Sequence, residues 1–317
     1  MKYDVSNNCI DMIYQIKAYV SSYISKAYEL IRNICSKTIV INGFVSKNTF
    51  SFNKYNFGDD INVPLLEAIT GKRVSVLGSH FFQSTKENLL CIGSIIEYYC
   101  NTNSIIWGSG ALMGIESMKI KPKKVCAVRG SFTRNYLLAN GIECPEVYGD
   151  PALLLPLIYD NDVQKEYKIG LIPHIIDADL DIVKQICLEN TSVHVIHFNN
   201  YVSWQDVIDE IKKCECVISS SLHGLIISDA YGIANVRVKF SDSIKGGDFK
   251  YKDYYSGVNR FYQEPLDWRY NYCLQDAIER IKIYKPICFN PIPLLKAFPY
   301  ILSESFVISL KSKRITI

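Results

Sequence analysis

Short runs of β-branched residues alternate with segments of helical periodicity from residue 38 onward, and this alternation constrains the fold more than any other feature. Strands separated by helices of this length are expected to pair in parallel through crossover helices. A first series is predicted with strands at 38–43, 73–78, 104–108, 123–129 and 146–149 and helices at 62–69, 86–101 and 131–140. A second series is predicted with strands at 168–173, 193–198, 216–219 and 235–240 and helices at 179–189, 204–213 and 222–231.

The two series predict two domains, since 317 residues exceed the usual size of one compact domain. The expected fold class is α/β, with two Rossmann-like domains facing a cleft in the GT-B-like arrangement of many sugar-active transferases. The proposed boundary gives an N-terminal domain at 1–157 and a C-terminal domain at 158–317. An amphipathic helix is predicted at 9–34, and the C-terminal segment from residue 298 is expected to cross back between the domains.

Composition excludes several classes of protein. Hydrophobic residues make up 48% of the chain, which favours buried cores over disorder. The net charge is only +3 with both signs interspersed, whereas a nucleic-acid-binding protein more often carries a concentrated basic stripe. The eleven cysteines include no Cys-x-x-Cys pair, so we interpret them as buried thiols in a reducing compartment, with no metal site.

The sequence also gives an expectation about location. No stretch has the roughly 18 apolar residues that would span a bilayer. Asp4, Asn7 and Asn8 interrupt the position where a signal peptide would begin its apolar region. We therefore expect a cytoplasmic protein, with the helix at 9–34 or the C-terminal stretch at 298–317 as an alternative peripheral contact with the membrane.

The strongest candidate for chemistry is the run Ser219, Ser220, Ser221, Leu222, His223 and Gly224, which leads from a predicted strand into a helix. Serines there can cap the helix, and its free backbone N–H groups can bind an anion. His223 lies in the first turn, where it could give a proton to a bound group or take one from it. The alternative interpretation is an ordinary serine cap with a structural histidine.

A second candidate is the acidic run that precedes the helix at 62–69. Asn56, Gly58, Asp59 and Asp60 stand together there. One carboxylate is explained by capping of the helix. Two adjacent carboxylates with neighbouring asparagines favour a further role, in which Asp59 or Asp60 acts on sugar hydroxyl groups.

Further candidates lie where predicted strands end, which is where ligands bind in open α/β sheets. They are Ser109 in a glycine-rich loop, Arg129, His174, and the lysines Lys239 and Lys250 of a segment that we interpret as a basic lid. An arginine in such a place can hold a carboxylate through two hydrogen bonds. The alternatives are a plain structural histidine at position 174 and a solvated loop around the lysines.

Taken together, these runs resemble the polysaccharide pyruvyl transferase family. The matches occur in family order from about residue 53 to 256. They are Asn56–Asp59, Trp107–Gly110, Arg129 before a helix ending in Asn140-Gly141-Ile142, Gly149–Ala152, Ile172–His174, Leu222–Gly224 with Ala230–Gly232, and Lys250 ahead of Asp253-Tyr254-Tyr255. One position departs from the pattern, because many members carry an arginine where this chain has Ser221.

The resemblance implies a cytoplasmic enzyme of bacterial surface-polysaccharide synthesis. The implied donor is phosphoenolpyruvate as a co-substrate, the implied acceptor is a hexose of a glycan or a lipid-linked oligosaccharide, and the product is a pyruvate ketal. No cofactor, metal or nucleic acid is implied. The first domain is expected on the acceptor side and the second on the donor side.

Roles for the candidate residues follow from the resemblance and from their placement. His223 is assigned as the proton donor, and the N–H groups of residues 219–221 are expected to hold the phosphate. Arg129, helped by Lys239 or Lys250, would neutralise the donor carboxylate. Two alternatives remain open, namely a glycosyltransferase that uses a nucleotide sugar and a non-catalytic scaffold of the polysaccharide machinery.

Overall fold

The computed structural model of the protein describes residues 38–45, 56–77, 86–115 and 117–317. The helix that the sequence predicts at 9–34 lies outside the described residues. Within them, two parallel five-stranded sheets and their flanking helices confirm the prediction of a mixed α/β fold.

The first sheet has the strand order β2-β1-β3-β4-β5, and all neighbours are parallel. Its strands are β1 (Ile39–Asn42), β2 (Val74–Leu77), β3 (Asn88–Leu90), β4 (Ser104–Trp107) and β5 (Lys124–Ala127). Most of their side chains are buried, as expected for a parallel sheet that is covered on both faces.

The second sheet has the order β10-β9-β8-β6-β7 and is also parallel throughout. Its strands are β6 (Tyr167–Ile172), β7 (Val193–Val195), β8 (Cys214–Ser219), β9 (Ala234–Lys239) and β10 (Leu266–Asp267). The first four lie where the sequence predicts them. The two-residue strand β10 has no sequence signal, because it is defined by its pairing with β9.

The helices of the first half are α1 (Phe57–Asp60), α2 (Asn62–Thr70), α3 (Ile96–Tyr99) and α4 (Ser131–Ala139), followed by a 3-10 helix at Pro151–Leu157. Those of the second half are α5 (Asp181–Glu189), α6 (Trp204–Lys212), α7 (Leu222–Ala230), α8 (Phe249–Gly257) and α9 (Leu274–Lys282). Two further helices, α10 (Pro291–Lys296) and α11 (Glu304–Ser312), complete the chain.

Two predictions about the first half are wrong. The helix predicted at 86–101 is instead the strand β3 followed by the single turn α3. Leucines favour helices locally, but Leu89 pairs with Ile41 on one side and Ile105 on the other, and tertiary pairing overrides that preference. The strand predicted at 146–149 is reduced to one bridge between Val128 and Tyr148.

The two halves share buried contacts. Helix α8 of the second half packs on α4 of the first, and α7 packs on the 3-10 helix. The C-terminal helices return to the first half, where Trp107 donates from Nε1 to the Leu294 carbonyl over 2.9 Å and the Ser303 amide donates to Ile69 over 2.9 Å. These contacts align the carboxyl ends of the two sheets. The domain boundary predicted near 157 stays a prediction.

Candidate active site

A cleft of about 360 Å³ lies between the carboxyl ends of the two sheets. This position is where open α/β sheets bind ligands, and the volume suits a small molecule. The first half lines it with residues that include Phe44, Asn56, Asp59, Tyr98 and Tyr99, and the second half with residues that include His174, Ser221, His223, Lys245 and Lys250. The structure thus brings together six of the predicted site residues.

A larger open groove of about 910 Å³ lies at the amino end of β5. Lysines at positions 121, 123 and 124 border it. None of the predicted site residues lines this groove, and it lies at the edge of the sheet opposite to the one where ligands bind in such folds. The smaller cleft is therefore the candidate active site.

The serine run has a different arrangement from the predicted one. Ser219 and Ser220 are fully buried, and only Ser221 lines the cleft. The Ser220 amide donates to Ile172 over 3.2 Å and the Ser221 amide donates to Ser219 Oγ over 2.9 Å, so these N–H groups already have partners inside the protein. The prediction that they hold a phosphate is wrong in this respect. Helix α7 begins at Leu222, and its first N–H group that bonds to a backbone carbonyl is that of Leu225, which donates to Ser221. The N–H groups that precede Leu225 in this helix are therefore the ones left for a ligand.

His223 stands in the first turn of α7 with its imidazole in the cleft. Its Nε2 atom is enclosed and makes no hydrogen bond with the described residues. Burial, followed by the charges of Arg129 and Lys250, lowers the pKa of His223 to about 3. The imidazole is therefore neutral in the free protein, and an anion bound nearby would raise its pKa again.

Gly58 explains how His223 is held. It lies in α1, and a Cβ atom added to it would come 1.9 Å from Nδ1 of His223. The imidazole therefore lies directly against the backbone of α1. Gly58 is buried and contributes space for the histidine rather than a group that binds substrate.

His174 follows strand β6 and lines the same cleft. Its backbone amide donates to Ser220 Oγ over 2.9 Å, and its Nδ1 accepts from the Ile176 amide over 3.2 Å. Burial and the charge of Lys250 lower its pKa to about 3, so the ring is neutral. Because Nδ1 is the acceptor, the proton of the neutral ring is on Nε2, and His174 carries a fixed N–H donor.

Lys250 is the buried cation of the cleft. It lies in the first turn of α8 and is 7% exposed. Its Nζ makes no hydrogen bond or ion pair with any residue of the described part of the chain. Burial, followed by the charges of Arg129 and Arg237, lowers its pKa to about 7. A lysine in this state is stabilised as a cation when an anion binds next to it.

The two predicted carboxylates separate in the structure. Asp59 lines the cleft and is 9% exposed, and its Oδ2 accepts from the side-chain Nδ2 of Asn56 over 2.5 Å. Burial and the neighbouring Asp60 hold the pKa of Asp59 well above its usual value. Asp60 points elsewhere, because its Oδ2 accepts from the Tyr201 hydroxyl over 2.5 Å, and it does not line the cleft.

Arg129 lies beneath the cleft and is fully buried. The carboxylate that it holds is an internal one, since its Nε donates to Asp253 Oδ2 over 2.8 Å. It also donates to Ser94 Oγ over 2.5 Å and to the Ala111 carbonyl over 2.9 Å. In this structure Arg129 therefore has no surface for a donor carboxylate, and it acts on the cleft through its charge.

Two other predicted residues lie outside the cleft. Ser109 is fully buried and joins the ends of two strands, donating to the Gly93 carbonyl over 2.9 Å. Lys239 forms an ion pair with Asp242 over 2.5 Å and lines a separate cavity of about 110 Å³. The prediction that Lys239 and Lys250 form one lid over the cleft is therefore wrong for Lys239. Lys250 lies inside the cleft and Lys239 lies outside it.

Several site residues have no signal in the sequence. The aromatic wall of Phe44, Tyr98 and Tyr99 comes from one loop and one short helix. Asp177 is fully buried and accepts from Ser220 Oγ over 2.9 Å and Ser241 Oγ over 2.6 Å, which ties together the ends of three strands. Such residues become neighbours only when the strands assemble.

A comparison with protein families shows which family the chain belongs to. The family described as polysaccharide pyruvyl transferase matches residues 13–240, which is well over half of the chain. The chain belongs to the polysaccharide pyruvyl transferase family. The resemblance inferred from the short motifs is thus confirmed.

Two curated relatives are similar to this member of the family. Uncharacterized protein L143 of Acanthamoeba polyphaga mimivirus is 32% identical over 179 residues, which cover 53% of this chain and 60% of that protein. Succinoglycan biosynthesis protein ExoV of Rhizobium meliloti (strain 1021) is 27% identical over 207 residues, which cover 63% of this chain and 60% of that protein. The chain therefore spans 60% of the length of each of these relatives. No solved structure matches it.

Two further features of this family member concern metal binding and membranes. Among the described residues, no group of three or more histidine, cysteine or acidic side chains is arranged to hold a metal ion. No helix within 38–45, 56–77, 86–115 and 117–317 combines the length and the apolar character needed to cross a bilayer.

Proposed function

We propose that this protein transfers pyruvate from phosphoenolpyruvate to a hexose of a polysaccharide or its lipid-linked precursor, forming a ketal. The observation that carries the proposal is the cleft itself. One wall presents a buried lysine and two neutral histidines, and the other presents aromatic rings and a buried carboxyl group. Such a cleft can take an anionic donor on one side and a sugar on the other.

The second-half wall would bind the donor. Phosphoenolpyruvate carries a phosphate and a carboxylate, so it needs cations and N–H donors. Lys250 supplies a cation that has no hydrogen-bond or ion-pair partner among the described residues, and His174 supplies a fixed N–H. The start of α7 adds backbone donors, and the buried charge of Arg129 reinforces them from below. With Ser221 in place of the arginine found in many relatives, Lys250 takes over most of the direct charge contact.

The first-half wall would bind the acceptor. Tyr98 is 52% exposed at the edge of the cleft, which leaves its ring available for stacking on a sugar face. Phe44 and Tyr99 continue that wall inward. Aromatic rings provide large apolar area at low entropic cost, and hydroxyl groups of the sugar can still reach polar groups deeper in the cleft. This division agrees with a GT-B-like arrangement of an acceptor domain and a donor domain.

Incubation of the purified protein with phosphoenolpyruvate and lipid-linked or aryl hexosides tests the proposal. We expect a product heavier by one pyruvate less one water, together with one inorganic phosphate per product. Thermal stabilisation by UDP or GDP sugars, with no stabilisation by phosphoenolpyruvate, would instead support a nucleotide-sugar transferase. Stabilisation by neither ligand and no product would support a scaffold.

Lys250 gives a prediction about donor affinity. Replacing it with methionine should raise KM for phosphoenolpyruvate by roughly 10–100-fold, because a charge-assisted hydrogen bond contributes about 1.5–3 kcal/mol. The matched control is Lys252→Met on the same helix, since Lys252 lies over the Tyr262 ring and does not line the cleft. Steady-state kinetics with both variants would measure the difference. An unchanged KM in Lys250→Met would contradict the assignment.

Lys250 also gives a prediction about pH. Its pKa of about 7 means that the free protein loses this cation as the pH rises through neutrality. An anionic donor binds the protonated form, so binding takes up a proton and affinity falls as pH rises above about 7. Titration calorimetry in buffers of different ionisation enthalpy would measure the proton uptake between about pH 6 and pH 9. Equal heats in all buffers would show that the lysine does not contact the donor.

A further inference from the structure

The proposed reaction needs an acid, because the methylene carbon of phosphoenolpyruvate must gain a proton before its neighbour can be attacked. His223 was the expected acid, but its imidazole carries no proton to donate in the free protein, where burial and the charges of Arg129 and Lys250 lower its pKa. His174 is neutral for similar reasons. A different side chain of the cleft, one that holds a proton in the free protein, could act as the acid instead.

We propose that Asp59 delivers the proton to the methylene carbon, and that neutral His223 serves as the base that takes a proton from the first sugar hydroxyl. This assignment rests on the proposed function. It exchanges the roles that the sequence suggested for the two residues.

The placement of Asp59 supports this role. The residue lies in α1 on the first-half wall, one position after the glycine that contacts the His223 ring, so the acid and the base border the same end of the cleft. Its Oδ2 is oriented by Asn56. Its Oδ1 faces Gly93, whose Cβ, if it had one, would lie 2.9 Å from that oxygen. The side chain is therefore held in one orientation with only 9% exposure to solvent.

The surroundings of Asp59 favour its protonated form. Burial is the largest cause, and the carboxylates of Asp60 and Asp150 raise its pKa further, while Lys250 opposes them. Of the other titratable groups that face it, Tyr99 is a neutral phenol with a pKa raised to about 12 and His223 is a neutral imidazole. Lys250 is the cation that lowers the pKa of Asp59, and an anionic donor would compensate its charge. The carboxyl group consequently keeps its proton where an ordinary aspartate would lose it.

The protons balance over the complete reaction. The Asp59 O–H bond breaks and its proton forms a C–H bond at C3, which leaves a cationic C2. The first sugar hydroxyl oxygen bonds to C2 and its proton passes to His223. The imidazolium then gives that proton to the departing phosphate as the C2–O bond breaks. The second hydroxyl oxygen bonds to C2 and its proton returns to the Asp59 carboxylate, so both residues regain their starting states.

The first experiment replaces Asp59 with asparagine, which keeps the size and the hydrogen bond but removes the acidic proton. We expect kcat to fall by roughly 10²–10⁴-fold, the range for positioned proton transfer, with an unchanged Kd for phosphoenolpyruvate and an unchanged Tm. If the wild-type protein forms no ketal, the proposed function fails. If the wild type forms ketal and Asp59→Asn retains more than about a tenth of its kcat, only the present assignment fails.

The second experiment replaces Asp60 with asparagine, which removes one negative charge next to Asp59 while keeping an oxygen for the Tyr201 hydroxyl. The pKa of Asp59 should fall, so the alkaline limb of the kcat profile should move to lower pH at saturating donor. Asp60 is not among the main causes of the lowered pKa of His223 or of Lys250, which are burial and the neighbouring cations. An alkaline limb that stays in place would therefore assign the essential acid to another group and overturn the proposal.

Discussion

Replacing Asp253 with alanine should lower the free energy of unfolding by about 3–5 kcal/mol, the range for breaking a buried ion pair. Asp253 and Arg129 are both fully buried and joined over 2.8 Å. Asp253 also accepts from the Thr133 amide and hydroxyl, each over 2.7 Å. Its removal leaves a buried guanidinium without a counter-charge and two further donors without an acceptor. Denaturant unfolding followed by circular dichroism would measure the change.

A surface ion pair supplies the control for this prediction. Lys123 and Glu87 lie 2.6 Å apart with substantial exposure, and Glu87→Ala should change stability by no more than about 1 kcal/mol. A second variant, Arg129→Met with Asp253→Leu, removes both charges together and should recover much of the lost stability. A small effect of Asp253→Ala alone would show that Arg129 finds another counter-charge or that solvent reaches it.

Replacing Gly58 with alanine should reduce kcat/KM by about 10²-fold, because a displacement of about 1 Å in a catalytic group can have that effect. The added methyl group would overlap the imidazole of His223, and either the ring or α1 must move. The same crowding should lower stability by about 1–3 kcal/mol. Steady-state kinetics and thermal unfolding would measure the two effects.

A double-mutant cycle isolates the contact behind this prediction. In a His223→Ala background the ring is absent, so Gly58→Ala should lose most of its effect on stability. Gly43→Ala provides a matched control, since its added methyl group would meet only the flexible end of Ile95 at 3.2 Å. Equal destabilisation by Gly58→Ala with and without His223 would contradict the packing of the ring against α1.

The buried pair that links Arg129 to Asp253 also explains how the cleft keeps its shape. Arg129 follows the last strand of the first sheet, and Asp253 lies in α8 of the second half, three residues after Lys250. The hydrogen bonds between them therefore fix the helix that carries the buried lysine. Loss of this pair should affect donor binding as well as stability.

Much of the fold could be predicted from the sequence. Four of the five strands predicted for the first half and all four of the second half occur, because β-branched runs and helical periodicity are local properties. The family could also be recognised, since its motifs are short runs at strand ends. The strand Asn88–Leu90 was missed, because it becomes a strand through its partners on both sides rather than through its own residues.

The candidate site was predicted less completely. His223, His174 and Lys250 reach the cleft as expected, but Arg129, Ser219 and Ser220 turn their polar groups toward the protein. A strand end shows that a residue lies near the ligand edge of a sheet and does not show which way its side chain points. The aromatic wall was not predicted, because Phe44 is far in the sequence from Tyr98 and Tyr99.

The sequence by itself determined the parallel α/β architecture, the edge at which the chemistry must occur and the family. These depend on periodicity and on short motifs, which are contained in neighbouring residues. The tertiary structure decided which of two adjacent aspartates faces the cleft, which carboxylate Arg129 holds, and that the histidines are neutral while Lys250 has a lowered pKa. These properties depend on burial and on charges contributed by distant segments, because desolvation and Coulomb interactions act through space and not along the chain.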